Sequence, residues 1–437
     1  MCRVLSRLPG MSVVTLGLML FSMLGLLLVS TPSLALEYVY TANNYASGNG
    51  IHGYRITSGG TLEELPGSPF ASGGFGDDNS AFSQNGLVVS PDQQFLFAVN
   101  HGSNDISVFR VARNGRLFAV EGSPFPSGGE LPSSLSLSGD VLYVSFLGDA
   151  NAPPEQGCVG CELRGFRMQS GGALVPIANS SIALENIPAG RPLAIQFNPA
   201  GSVLFGSLTI ASAVFELGQP ELFSYELDHE TGLLSASPGS PYTVRDGSAQ
   251  PLGFAFNPAN PSHVYTANVV SGVPDLPSSV SAYLMAHTGQ VAELDFSPVP
   301  AEVTPGDAIA ACWAKVTFDG NNLYTANAGS DNLSHFRLAE SGEPTLAGLI
   351  ATPTVGNGPN APVDLLILPG DRYLYVLQTV GANIAAWDID LNNGDLIELP
   401  NQPLALPADA TPYGLVYVDR RNGALILPPP PGQDGGR

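Results

Sequence analysis

The residues able to do chemistry are few and dispersed. Six histidines, His52, His101, His229, His263, His287 and His335, show no metal-ligand spacing, so no metal site is read from them. No nucleophile elbow, zinc-protease helix or P-loop is present. Residues 48–53, GNGIHG, carry the letters of a dinucleotide fingerprint. They lie between two strand-like runs and open no helix that would hold a pyrophosphate, so no cofactor is expected. Any site must be assembled from distant segments.

Five residues are candidates for acid–base or electrostatic work. His101 follows Asn100 in a turn, where imidazole would titrate near neutral pH and act as a base, or simply be solvated. Arg191 would grip a carboxylate through two parallel hydrogen bonds, or lie on the surface. Lys315 is the one lysine of the chain. If buried it needs a carboxylate partner or a lowered pKa, and Asp307 and Asp364 are the nearest carboxylates in the pattern. Structural pairing is the first reading of that lysine and catalysis the second. Asp77, Asp78 and Trp313 are candidate ligand contacts, with a solvated loop and a packing wedge as the plainer readings.

The elements that must position these residues are strands. Residues 95–125, FLFAVNHGSNDISVFRVARNGRLFAVEGSPF, hold three short apolar runs broken by Gly, Asn and Pro turns, the pattern of strands joined by hairpins. The first run recurs at Val39, Leu96, Leu142, Leu204, Val264, Leu323 and Leu374. The second recurs around Tyr54, Phe109, Phe166, Tyr225, Tyr283, Phe336 and Trp387. The third starts after Gly60, Gly115, Gly172, Gly232, Gly289 and Gly394, with Pro344-Thr345 in the sixth copy. A fourth run precedes each copy except the first. Four strands per unit and about seven units at a period of roughly 50–60 residues predict an all-β fold, a seven-bladed β-propeller. The first unit lacks its inner strand, and Tyr413–Val418 is an inner strand left over. Pairing of the two chain ends would close the ring and hide its edges.

Insertions at 148–161, 210–220 and 269–277 enlarge the same connection in blades three, four and five. Per-repeat insertions gather on one face, often the binding face. The long loop 66–85, which carries Asp77 and Asp78, is expected to form part of the rim there. Asn43, Asn100, Asn268 and Asn327 end the same strand in four blades, which points to turn geometry.

Composition narrows the class. Arg3 and Arg7 precede an apolar stretch, Pro32 breaks it, and Ser33-Leu34-Ala35 offers a signal-peptidase pattern. Residues 1–35 are read as a signal peptide cleaved after Ala35, with an uncleaved anchor as the alternative. A secreted or periplasmic protein follows. Residues 36–427 form the propeller and 428–437 a disordered Pro/Gly tail. Without Arg3 and Arg7 the chain holds 14 basic and 38 acidic residues. That balance argues against nucleic acid and against docking on anionic lipid. A monomer is expected. Cys158 and Cys161 form a C-x-x-C, read as a local disulfide in an oxidising compartment ahead of free thiols or a redox pair. Cys312 is read as a lone buried thiol.

Residues 88–111, VVSPDQQFLFAVNHGSNDISVFRV, and 316–338, VTFDGNNLYTANAGSDNLSHFRL, resemble the seven-bladed lactonase family of 6-phosphogluconolactonase and the fungal carboxymuconate-lactonising enzyme. The Cys312-Trp313 strand is similar to secreted lactonase-like members. The likeness runs through nearly all of the chain after the leader. It implies opening or closing of a small lactone ring at the mouth of the central channel. Cytoplasmic phosphogluconolactonases of this type carry histidine, often beside arginine, where inner strands begin. Here those positions read Pro132-Ser133-Ser134, Arg191-Pro192-Leu193, Gln250-Pro251-Leu252 and Asn360-Ala361-Pro362, and only Arg191 echoes the pattern. A phosphosugar needs converging cations, so phosphogluconolactone is not the expected substrate. Two functions follow: a lactonase taking a small lactone or sugar-like ligand, or a non-catalytic surface-binding propeller using the loops of blades three to five. A metal ion held in the channel by carboxylates and carbonyls is a minor third.

Overall fold

The structure is a computed structural model. It describes residues 36–421 apart from 79–83, 150–157, 185–189, 211–219, 246–249, 270–277, 303–305, 356–357 and 408–409. Residues 1–35, read from sequence as a signal peptide, the tail from 422 and most of the three insertions lie outside the described residues.

The described residues form seven antiparallel sheets. Inner strands Leu87–Val89, Pro132–Ser138, Gly190–Phe197, Gln250–Phe256, Ala311–Val316 and Pro362–Ile367 begin blades two to seven. The inner strand of blade one is Tyr413–Asp419, from the other end of the chain. It pairs antiparallel with Glu37–Ala42, Glu37 opposite Asp419 and Tyr40 opposite Val416. A seven-bladed propeller closed by its two chain ends is therefore the fold. Tyr417 Oη donates to Glu37 Oε1 (2.6 Å), and Arg421 reaches Glu37 at 3.0 Å, which fastens the far end of this pairing.

The second strand of the blade is deeply buried. Phe95–Asn100, Val141–Phe146, Asn322–Asn327 and Tyr373–Gln378 are buried at every residue. They lie between neighbouring sheets, so both faces are covered and the sequence does not alternate. Outer strands such as Leu117–Ala119 bury one residue in three.

In most blades the outer strand is interrupted by a turn, and a serine repairs the ladder. Ser68, Ser123, Ser180, Ser240 and Ser297 accept the N–H of Gly53, Val108, Gly165, Ser224 and Ala282 through Oγ. Blade six has no such turn, and Pro344–Ala351 runs continuously with a register shift opposite His335 and Phe336.

Adjacent blades are clasped by a repeated bond. Tyr40 Oη donates to Gly115 O (2.7 Å), Tyr143 to Gly232 O (2.9 Å), Tyr324 to Gly394 O (2.5 Å) and Tyr375 to Gly60 O (2.6 Å). The accepting glycine turns the chain toward the next blade's outer strand. Gly60 has φ +80°, and a Cβ there would stand 2.6 Å from the Tyr373 ring, so both backbone and packing require glycine. The Tyr375 clasp joins blade seven to blade one, so closure uses the same device as every other junction that has it.

The strand-ending asparagines correct the turn-geometry reading. Asn43, Asn100, Asn268 and Asn327 are buried, and none has positive φ. Their side chains reach across the sheet. Asn100 Nδ2 donates to Ser107 Oγ (2.8 Å), Asn268 Nδ2 to Ser281 Oγ (2.9 Å) and Asn327 Nδ2 to Ser334 Oγ (2.8 Å). Asn43 Oδ1 accepts from Gly50 N (2.9 Å). A buried amide must be bonded, and the partner serine supplies the bond.

Candidate functional site: the two ends of the channel

Inner strands start at the face that carries the enlarged loops and end at the opposite face. At the loop face, the segment 72–78 folds back over the turns of blades one and two. Gly76 N donates to Tyr45 O (2.8 Å), Asp78 N to Asn44 O (3.1 Å) and Gly102 N to Phe75 O (3.0 Å). A Cβ on Gly102 would stand 2.0 Å from Gly76 O, so the two chains approach as only glycine allows. Asp77 Oδ1 accepts from Asn44 Nδ2 (2.7 Å), and Asp78 Oδ1 accepts from Ala46 N (2.8 Å). Both carboxylates hold this loop down.

The loop also buries His101, which is 3% exposed. Its ring meets Tyr413 edge-on at 5.6 Å, and Nε2 has no hydrogen-bond partner. Burial pushes its pKa below the ordinary value, against the opposing pull of the Asp77 charge. The imidazole is therefore neutral near pH 7, and it packs on the closing strand out of solvent. Neither the solvated turn nor the channel-mouth base read from sequence describes that position. Tyr413 Oη donates to Val99 O, and Asn49 Nδ2 bonds both Tyr413 Oη (3.0 Å) and Asn100 Oδ1 (2.9 Å).

Arg191 is the second residue of the fourth inner strand and is half-buried. Nη1 donates to Leu147 O (3.2 Å) and Nη2 to Asp149 O (3.5 Å). Burial lowers its pKa, and the Asp149 charge opposes that. The same Leu147 carbonyl is approached by Cys161 Sγ at 3.3 Å, and Cys158 and Cys161 are joined as a disulfide. The guanidinium is thus aimed by the blade-three loop.

Deeper in the channel the register defines levels. Trp313, Ala194, Ser134 and Asp364 share one, opposite Ala326, Ser207, Ser145 and Leu377. Trp313 is 2% exposed and its Nε1 has no partner. It is a buried wedge, with no face open for stacking. Asp364 Oδ1 accepts from Leu365 N (2.8 Å) and Oδ2 from Leu415 N (2.8 Å). This carboxylate pins blade seven to the closing strand. Burial raises its pKa and the Lys315 charge lowers it.

One residue further along the strands, Gln84 crosses the channel. Its Nε2 donates to Phe254 O (2.9 Å) and its Oε1 accepts from Phe254 N (2.9 Å). Asn85 Nδ2 donates to Ile195 O (3.0 Å), and Asn85 O accepts from Leu135 N (2.9 Å). Inner strands are sheet edges, and these side chains satisfy their free backbone groups. Gly253 allows the approach, since a Cβ there would stand 3.1 Å from Gln84 Oε1 and 2.5 Å from Cys312 O. Sequence reasoning missed Gln84. Its only signal is its place just before an inner strand.

The next level holds Val88, Ser136, Gln196, Ala255, Lys315, Leu366 and Val416, each opposite the aromatic second residue of the repeated strand. Lys315 and Gln196 line a cavity of about 270 Å³ with Phe256, Pro258, Phe318 and Leu366. No described residue forms an ion pair or hydrogen bond with Lys315 Nζ. Asp307 is exposed at the loop face, where its backbone O accepts from Asn332 Nδ2 (2.6 Å). The strand from Ala311 to Lys315 alone spans about 13 Å, so the pairing of Asp307 with Lys315 read from sequence is not made. Arg191, His101 and Lys315 do not converge. Among the described residues no three His, Cys, Asp or Glu side chains gather as metal ligands.

The chain matches the family model described as lactonase, seven-bladed β-propeller, over residues 35–150 and 209–408. It belongs to that family. Arg191 and the second half of blade three fall between the two matched stretches of this lactonase-family chain. The periplasmic gluconolactonase of Pseudomonas aeruginosa is similar in structure, at 19% identity and TM-score 0.67, over 87% of this chain and 99% of that one. A candidate 6-phosphogluconolactonase of Bacteroides fragilis is similar at 18% identity and TM-score 0.67, over 89% and 99%. A protein of Lactobacillus plantarum is similar at 16% identity and TM-score 0.65, over 87% and 99%. At these identities the likeness concerns the fold. No curated sequence matched this chain.

Proposed function

We propose that this lactonase-family propeller, exported by its leader, engages a small lactone or sugar-like ligand at the loop face, with Arg191 as the anchor. The observation that carries the reading is the aimed guanidinium. Leu147 O and Asp149 O fix Arg191 at the start of an inner strand, where the family resemblance puts its cation. A fixed guanidinium is a ready donor to a lactone carbonyl and to the carboxylate that ring opening leaves. In hydrolysis, water would add to the carbonyl carbon, the ring C–O bond would break, and the alkoxide would take the proton. Arg191 would stabilise the charge on the carbonyl oxygen as it develops.

A second reading, binding without turnover, is favoured by the state of the bases named from sequence. His101 is packed beneath a loop, and both oxygens of Asp364 hold backbone N–H groups. Neither is placed to activate water at Arg191.

A lactone-hydrolysis screen of residues 36–437 beside Arg191→Ala, with calorimetric titration of the same lactones, decides between them. Turnover reduced at least about tenfold in the variant, the loss of one charge-assisted bond, supports the enzyme. Binding without turnover, lost in the variant, supports the second reading. Neither binding nor turnover removes both.

A further inference from the structure

Lys315, at the opposite end of the channel, makes no hydrogen bond or ion pair with a described residue. The cavity beside Lys315, about 270 Å³, is walled by Phe256, Pro258, Phe318 and Leu366, with Gln196 as its amide. At about 30 Å³ per water it has room for roughly nine waters, or a small organic molecule of that bulk. One level nearer the loop face, Gln84 bonds Phe254 and Asn85 bonds Ile195. Asp364, two levels nearer the loops, uses both oxygens on Leu365 N and Leu415 N and makes no ion pair with the lysine. The ammonium, whose charge acts on Asp364, therefore meets no described carboxylate at ion-pair distance in a chain of net charge −22.

We propose that this cavity is a binding site for a small monocarboxylate with an apolar body, held by the Lys315 ammonium and oriented by the Gln196 amide. The chemistry selects the class. A single flexible ammonium suits one carboxylate, whereas a phosphate dianion calls for several converging cations or a bidentate arginine. The walls offer an alkyl or aryl body burial at about 25 cal/mol per Å². A neutral ligand would leave the ammonium unpaired, and a cation would be repelled. The site is separate from Arg191, which sits beyond the Gln84 layer at the other face.

The single lysine makes the test direct. Protein labelled with ¹⁵N-lysine gives one lysine ammonium resonance and one lysine amide resonance. Hexanoate should shift both saturably, and 1-hexanol, the same body without charge, should bind at least about tenfold more weakly. Lys315→Met should remove the calorimetric signal for hexanoate. Leu366→Glu, which places a carboxylate on the neighbouring strand at the lysine's level, should remove it too, with an unchanged circular dichroism spectrum. Arg191→Ala should bind hexanoate as the wild type does. The proposal is overturned if hexanoate gives no saturable shift, if 1-hexanol binds as well, if Lys315→Met still binds, or if Arg191→Ala abolishes binding.

Discussion

The two ends of the channel use their polar residues differently. At the loop end four charged residues are committed to the ring. Asp77 and Asp78 hold down a loop, Asp364 joins blade seven to the closing strand, and Arg191 is gripped by two carbonyls. At the other end Lys315 lines a cavity and makes no hydrogen bond or ion pair with a described residue, though its charge acts on Asp364. A buried charge bonded by backbone groups of the ring reports on stability. An uncommitted one at a cavity reports on a ligand.

The sharpest way to break that contrast is to remove one charge from each end. Asp364→Ala leaves the N–H groups of Leu365 and Leu415 without acceptors, and should cost about 3 kcal/mol of unfolding free energy. Lys315→Met should stay within about 0.5 kcal/mol of wild type, as for an uncommitted side chain. Urea unfolding measures both. Equal losses would erase the distinction.

Acid should act on the committed side of the comparison next. His52, His101, His263 and His335 are all buried, and burial lowers each pKa, to about 4 for His335. A histidine kept neutral in the fold contributes fully above its unfolded value near 6.5. That contribution is lost as the pH falls from 6.5 toward the folded value, because the unfolded chain then binds more protons. The urea midpoint should drop between pH 7 and pH 5, and His335→Gln should flatten the drop. Asp364, raised by burial, acts with the opposite sign over its own window above 3.8. A midpoint that stays level or rises from pH 7 to 5 would contradict the histidine assignment.

Smaller effects sharpen the picture further. Replacing Cys158 and Cys161 by serine opens a short loop and should cost about 2 kcal/mol in the chain-entropy account, together with weaker ligand binding at Arg191. Tyr375→Phe and Tyr40→Phe each remove one interblade clasp, and each should cost about 1 kcal/mol. If closure is an ordinary junction, the two values agree. A much larger loss for Tyr375→Phe would single out the seam between blades seven and one.

The architecture was legible because a propeller writes itself as a period. The strand at Tyr413 had no blade of its own, and the blade at Glu37 had no inner strand, so closure followed from arithmetic on the repeat. The roles of individual side chains were not legible, because they depend on contacts between distant blades. Asp364 reads as a partner for Lys315 until Leu415, 51 residues away, is seen to donate to it. His101 reads as a turn residue until residues 72–78 fold over it. The asparagine period was visible, but its partner serines lie on the next strand, and pairing them needs the register. Gln84 carries no periodic mark at all, and its reach to Phe254 spans 170 positions of sequence.

The contrast between the two ends reduces to access, which the chain's own chemistry reports. Cys312 lies on the loop side of the Gln84 layer, 3% exposed, with burial pushing its thiol up to about 12. Lys315 lies three residues further along the same strand, on the other side of that layer. Native protein treated with a small amine reagent and a small thiol reagent, then digested and read by mass spectrometry, samples both at once. Lys315 should be modified readily while Cys312 stays unmodified until urea unfolds the ring. Modification of Cys312 at a rate comparable to Lys315 in the native state would contradict the account.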